Sequence, residues 1–411
     1  METGSFSGIF PAAKPDEPPR RGPLVTALGI VEILAWGSSY YLLAVLAGPI
    51  AADTGLSLSW VVAGLSLALL AGGLSSPFVG RTIERRGGRP VLACSSVLFA
   101  LGFGCLSLAD NLAVYLAAWL VIGLAMGSGL YDAAFATLGR LYGQNARSAI
   151  SVLTLFGGLA STVCWPLTAF LNAEMGWRGA CLVYAGLHIV VCLPLNLLVL
   201  PRGSAIPPPQ PTRPAPATSV KTSTPRRRKT TEFVLLAAVV ALAEALFSVI
   251  SVHLLSILQA RGIELMAAVA LGTIIGPAQV GARTIEMAFG RHYHPLWTMI
   301  VSTVLVALGI ALLLGKFPIA AVALMVYGGG AGLASIARGT VPLELFGPLG
   351  YASLMGRLAL PCLLAQALSP SIAGLLMARG DATWVLTIVM AMALTNVILG
   401  LLLWLLTKNI H

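Results

Sequence analysis

The chain has 411 residues, 57% of them hydrophobic and only 10% charged, with a net charge of +10. Soluble domains are about a quarter charged, so most of this sequence is excluded from water. A length that would make two or three soluble domains accommodates about a dozen membrane crossings of ~20 residues.

Residues 1–23 are rich in proline and charge and lack the apolar core of a cleavable signal peptide. They form an N-terminal tail, and the first crossing is expected to act as the insertion signal. Twelve apolar runs follow, at 24–50, 57–80, 90–108, 112–138, 147–171, 178–200, 232–259, 264–289, 294–315, 317–338, 351–377 and 383–406. Only helices or closed barrels cross a bilayer, and these runs lack the period-two alternation of barrel strands. The expected fold is an all-α membrane protein with twelve transmembrane helices in two pseudo-symmetric six-helix bundles. The bundles are 24–200 and 232–406, with a linker at 201–231 and a tail at 407–411. The linker carries eight prolines and the run Arg226-Arg227-Arg228-Lys229. It cannot bury enough apolar surface to fold.

Of the 25 Lys and Arg residues, only Arg178, Arg261, Lys316 and Arg379 fall on one side of this layout. Positive residues stay in the cytoplasm, so both termini are predicted inside, in the cytoplasmic (inner) membrane of the cell. The basic excess is thus topological, and no nucleic-acid partner is expected. The six cysteines all lie in apolar runs, without the close pairing of a metal site. A phosphate-cradling loop needs a strand before it and a Lys after it, and neither is present. No cofactor is implied. The five histidines form no convergent cluster, so no intramembrane enzyme is expected.

Half of the chain echoes the other half. Arg81-Thr82-Ile83-Glu84 with Gly88-Arg89 recurs as Arg283-Thr284-Ile285-Glu286 with Gly290-Arg291. Glu32, Ser39 and Leu42 recur as Glu244, Ser251 and Leu254. Such doubling points to an internal repeat with a substrate site at the repeat interface.

The loop between spans 2 and 3 reads Gly80-Arg81-Thr82-Ile83-Glu84-Arg85-Arg86-Gly87-Gly88-Arg89-Pro90. Gly80 permits close helix approach, Gly87 and Gly88 permit a tight turn, and Glu84 needs a partner, for which Arg85, Arg89 and Arg140 are candidates. The loop resembles the signature of the major facilitator superfamily at Gly80, Glu84, Arg85, Gly87 and Arg89, with Pro90 replacing the usual second basic residue. The resemblance covers essentially the whole chain and implies secondary transport by alternating access, with Glu84 latching the halves in the outward-facing state. Trp119 stands where the family's drug antiporters carry an Arg, and the sugar-porter signature after span 6 is missing. Arg147, Gly157-Gly158 and Gly176-Trp177-Arg178 look more like the monocarboxylate and organic-anion branches. Those branches hold an Asp and an Arg four apart in span 8; here the pair is Gln279 and Arg283.

Ionisable groups within spans are costly unless they face a cavity or a partner. Glu32 in span 1, with Trp36 and Ser39 at helical spacing, and Glu244 in span 7 are proton-coupling candidates, the alternative being structural carboxylates. Asp132 is either a cavity acid or the partner of a neighbouring Arg. Arg283 offers the planar fork that suits a carboxylate, or serves as a second latch charge. Arg338, Gln279, Ser39, Trp36 and Tyr40 complete the substrate-binding candidates. Tyr41, nine residues from Glu32, is assigned to packing, and His188 and His253 to structural roles. The expected cargo is a small organic anion such as a monocarboxylate, with a proton or another ion for coupling. Efflux of an amphipathic drug is the alternative. The working unit is expected to be a monomer in the lipid bilayer.

Overall fold

The computed structural model describes residues 20–202, 226–315, 320–379 and 382–408. Most of the N-terminal tail, residues 203–225 of the linker, Lys316 and the last three residues lie outside them. Every regular element among the described residues is helical.

Ten continuous helical runs are long and apolar enough to cross a membrane, one of them the 88-residue stretch Leu112–Val199. That stretch reverses twice. The first reversal is the turn Gly143–Asn145, across which the Tyr131 hydroxyl donates to the Thr154 carbonyl at 3.2 Å. The second is at Gly176, where φ 71° and ψ 173° give a conformation only glycine adopts readily. Thr168 Oγ1 and the Tyr184 hydroxyl then face each other at 2.6 Å across this hairpin. Three crossings are therefore contained in one run, and the described residues make twelve.

The helices outlast the apolar runs on one face of the bundle. Spans 2, 4 and 10 are predicted to stop at 80, 138 and 338 but continue to Arg86, Tyr142 and Phe346. The helix ladder does not need apolar side chains to propagate, so it runs past the membrane boundary until a breaker ends it. At span 2 the breaker is the motif's Gly87, with φ 82°. This side of the molecule is here called the motif face.

Close approach of small residues holds the bundles together, as expected where apolar burial alone gives no preference for helix over lipid. Gly123 and Gly127 of span 4 lie against Ala68 and Gly72 of span 2, and Gly328, Gly330 and Gly332 of span 10 against Ile275, Val306 and Gln279. Gly80 meets Gly356 and Ala352 so closely that a Cβ would collide with backbone. That contact joins span 2 (Leu58–Arg86) to span 11 (Tyr351–Arg379), one from each half. Its symmetry mate joins span 5 to span 8.

Span 1 is not one helix. Arg21–Ser38 and Leu43–Thr54 are separated by a turn in which the Tyr41 N–H donates to the Trp36 carbonyl, an i to i−5 bond of 3.1 Å. Span 6 carries a π-helical segment at His188–Cys192. The two irregularities touch, since Ser38 Oγ and His188 Nε2 are 3.0 Å apart and the imidazole stacks on Phe99 at 4.5 Å between centroids.

Candidate functional site

Between the halves lies a cavity with about 780 Å³ of non-atom space, its open mouth included. Trp36, Tyr41 and Tyr131 line it from the first half, and Glu244, Phe247, Gln279, Arg283, Tyr327, Ser335, Arg338 and Gln366 from the second. That size and mixture suit a small molecule with few polar groups.

Its two arginines are treated differently. Arg338, 6% exposed, is held by two carboxylates. Its Nε and Nη2 donate to Asp132 at 3.0 and 2.6 Å, and its Nη1 donates to Glu244 at 2.6 Å. Spans 4, 7 and 10 are thereby joined across the halves. Asp132 takes the bidentate fork, the strong geometry for this pair, whereas Glu244 is held by one bond and lines the cavity. Arg283, 5% exposed, is held by neutral acceptors alone: Gly332 O at 3.2 Å, Thr154 O at 2.8 Å and Gln279 Oε1 at 3.3 Å. Among the described residues no carboxylate lies within ion-pairing distance of it.

The sequence candidates are otherwise distributed as follows. Trp36 lines this cavity and a smaller neighbour bounded by Asp132 and Arg338. Tyr40 and Tyr41 exchange the places expected of them. The turn at Ser39–Leu42 resets the helical phase, so Tyr41 faces the cavity, while Tyr40 packs edge-on to Trp36 and stacks on Phe247. Ser39 is fully buried and bonds the Ala35 carbonyl. Glu32 is buried at 1% exposure and lines neither cavity. His253 bonds the Pro370 carbonyl at 2.9 Å.

Tyr131, Phe247, Tyr327, Ser335 and Gln366 also line the cavity, without a charge or a repeat in the sequence to mark them. The Tyr327 hydroxyl is buried and has no hydrogen-bond partner among the described residues, which leaves it free for a bound molecule. Its neighbourhood in the glycine run Gly328-Gly329-Gly330 is the only sequence signal that pointed near it.

On the motif face the Glu84 carboxylate pairs with none of the arginines proposed for it. Its Oε2 accepts the backbone N–H groups of Ala352 at 3.1 Å and Ser353 at 3.4 Å, in the first turn of span 11. A helix start presents unsatisfied amides and a partial positive charge, so it serves as the counter-charge. Arg140 instead donates to the Glu84 backbone carbonyl. The second copy of the motif solves the same problem with side chains. Glu286 accepts from Thr298 Oγ1 at 2.6 Å and pairs with Arg147 at 3.6 Å, at the start of span 5. On the opposite face Arg178 binds Asp53 and Asp110, which ties together the loops of the first half.

Twelve crossings around a cavity between the two halves are the layout of a membrane transporter. Residues 28–292 match the family model of the Major Facilitator Superfamily, and the chain belongs to that family. An uncharacterized 38 kDa protein in the 23S RNA operon of Thermoproteus tenax is 34% identical over 188 residues, 45% of this chain and 48% of that protein. Human monocarboxylate transporter 11 is 33% identical over 159 residues, 37% of this chain and 32% of the transporter. The chain thus spans about a third to a half of the length of these relatives. Among solved structures, the human organic anion transporter MFSD10 superposes with a TM-score of 0.75 at 18% identity, covering 93% of this chain and 100% of that one. The transporter FucP in the outward conformation gives 0.69 at 13% identity, covering 93% and 99%.

Proposed function

We propose that the protein is a secondary transporter that moves a small organic anion with a single carboxylate, bound at Arg283, by alternating access with a proton as the coupling ion. The carrying observation is the Arg283 guanidinium, buried at the cavity wall and held by neutral carbonyls alone. A desolvated cation of this kind is costly without a counter-charge, and a carboxylate ligand supplies one in the bidentate geometry that arginine favours. The names of two similar proteins, a monocarboxylate transporter and an organic anion transporter, favour the same cargo.

Charge balance supports coupling to a proton. Arg283 and Arg338 offset Asp132 and Glu244, so the cavity is neutral when empty. An arriving anion makes it negative by one, and a proton on one of the two acids that share Arg338 restores neutrality. Glu244, held by one bond and facing the cavity, is the acid placed to take that proton. Asp132 keeps Arg338 oriented meanwhile. Glu32 lies one turn from Trp36, buried behind the cavity wall, and is the second candidate for that proton.

The bundles 24–200 and 232–406 act as the moving bodies of a monomer, with the motif face and both termini in the cytoplasm. The distribution of Lys and Arg supports that orientation. The test is uptake of labelled monocarboxylates into proteoliposomes under an imposed pH gradient. Gradient-driven accumulation that depends on Arg283 supports the reading. Transport of amphipathic cations but of no carboxylate would replace it with the efflux reading.

A further inference from the structure

A second cleft lies on the motif face, outside the central cavity. Pro77, Arg81, Glu84 and Arg85 of span 2 and Ser353 and Arg357 of span 11 enclose about 830 Å³ of open space there. Three of the six are arginines. The one acid, Glu84, is already engaged by the amides of Ala352 and Ser353. Arg81 uses its Nε on the Pro77 carbonyl at 3.1 Å, and the Arg357 guanidinium lies over the Phe233 ring at 5.6 Å. Among the described residues no carboxylate lies within ion-pairing distance of Arg81, Arg85 or Arg357. Three like charges around one cleft repel one another unless an anion sits between them.

The surroundings say which anion. Leu74, Phe78, Arg81 and Arg85 recur at helical spacing and so form one stripe of span 2. Its apolar members are 69% and 68% exposed. Span 11 repeats the pattern with Arg357, Leu364 and Leu368, the last 50% exposed. Phe78 precedes Arg81 by three residues, about 4.5 Å along the axis. Cationic groups thus stand at one end of each stripe, and the exposed Leu74, Phe78 and Leu368 with the half-buried Leu364 lead away from them along the two apolar spans. A free phosphate would use only the arginines.

We propose that this cleft binds the phosphate of an anionic phospholipid, whose acyl chains lie along the Leu74–Phe78 and Leu364–Leu368 stripes. Both walls come from different halves and meet at Gly80 and Gly356. The lipid therefore favours the arrangement in which the motif face is closed.

The test is native mass spectrometry of the full chain, purified in detergent and titrated with phosphatidylglycerol, phosphatidylcholine or orthophosphate. Phosphatidylglycerol should be retained on the order of a hundredfold better than phosphatidylcholine, the scale expected of three basic groups on one phosphate. The R81Q/R85Q/R357Q variant should lose that preference while retaining phosphatidylcholine as before. The charge-matched R20Q/R202Q/K408Q variant, altered at exposed positions elsewhere on the same face, should keep it. Should the cleft triple fail to fold, R357Q alone reads the same preference and should lower it several-fold. Equal retention of the two lipids by the wild type, an equal loss in the control triple, no change in R357Q, or displacement of phosphatidylglycerol by orthophosphate alone would overturn the proposal.

Discussion

Arg283 Nη1 lies 2.8 Å from the carbonyl of Thr154, a residue of the opposite half. The anchor proposed for the cargo is therefore also a strut between the two halves. A carboxylate bound as proposed would compete with that strut for the same donors.

Arg283→Gln removes the charge and keeps a polar side chain of intermediate length. A charge-assisted hydrogen bond contributes about 1.5–3 kcal/mol, so uptake below saturation should fall by roughly ten- to a hundredfold. Arg283→Lys should recover part of it, because the charge returns without the fork. Initial rates of labelled uptake check both; wild-type rates in the glutamine variant would remove Arg283 from the site.

The two acids on Arg338 should separate function from stability. Glu244→Gln leaves the bidentate Asp132 pair intact, so the protein should fold, exchange cargo across the membrane and lose accumulation driven by a pH gradient. Asp132→Asn leaves a buried guanidinium half-paired, and breaking a buried pair costs about 3–5 kcal/mol. Thermal unfolding of the purified variants should show the larger drop for Asp132→Asn. If Glu244→Gln accumulates cargo as the wild type does, the proton is carried elsewhere, and Glu32→Gln becomes the variant to measure.

Glu84→Gln retains an acceptor for the Ala352 and Ser353 amides and loses the charge that faces them. Charge at a helix start contributes about 0.3–1 kcal/mol, so the closed motif face should be favoured up to about fivefold less. A cysteine placed in the cavity wall should then react faster with a reagent added from the motif face. Unchanged labelling together with unchanged transport would strip Glu84 of a latching role.

Gly80→Leu tests the contact between the halves directly. A side chain there meets the Ala352 carbonyl and the Gly356 backbone, which cannot yield as a flexible side chain can. The variant should insert normally yet keep the motif face apart, with transport lost and the cavity cysteine labelled from that face. Transport at wild-type rates would show that spans 2 and 11 need not meet.

Much of this was legible in the sequence because the bilayer imposes a coarse and strict pattern. Twelve apolar runs, the doubled motif around Glu84 and Glu286, and the buried charges could all be read along one dimension. Partners could not. Glu84 binds the amides of Ala352 and Ser353, and a backbone N–H has no side-chain signature. Arg338 gathers Asp132 and Glu244 from two other spans, whose mutual register no sequence spacing encodes. A helical wheel puts Tyr41 away from the cavity it lines, because the wheel assumes an unbroken helix. An i to i−5 bond between Tyr41 and Trp36 shifts the phase at the one point where it matters.

That same break divides the first crossing at mid-depth, between Ser38 and Leu43, beside the aromatic wall formed by Trp36 and Tyr41. A segmented crossing has a joint that a rigid rod lacks. The two pieces, of eighteen and twelve residues, are each anchored separately in the first half, the second by buried Leu46 and Ile50 and by the Asp53 bond to Trp177, so the joint between them fixes where the aromatic wall stands.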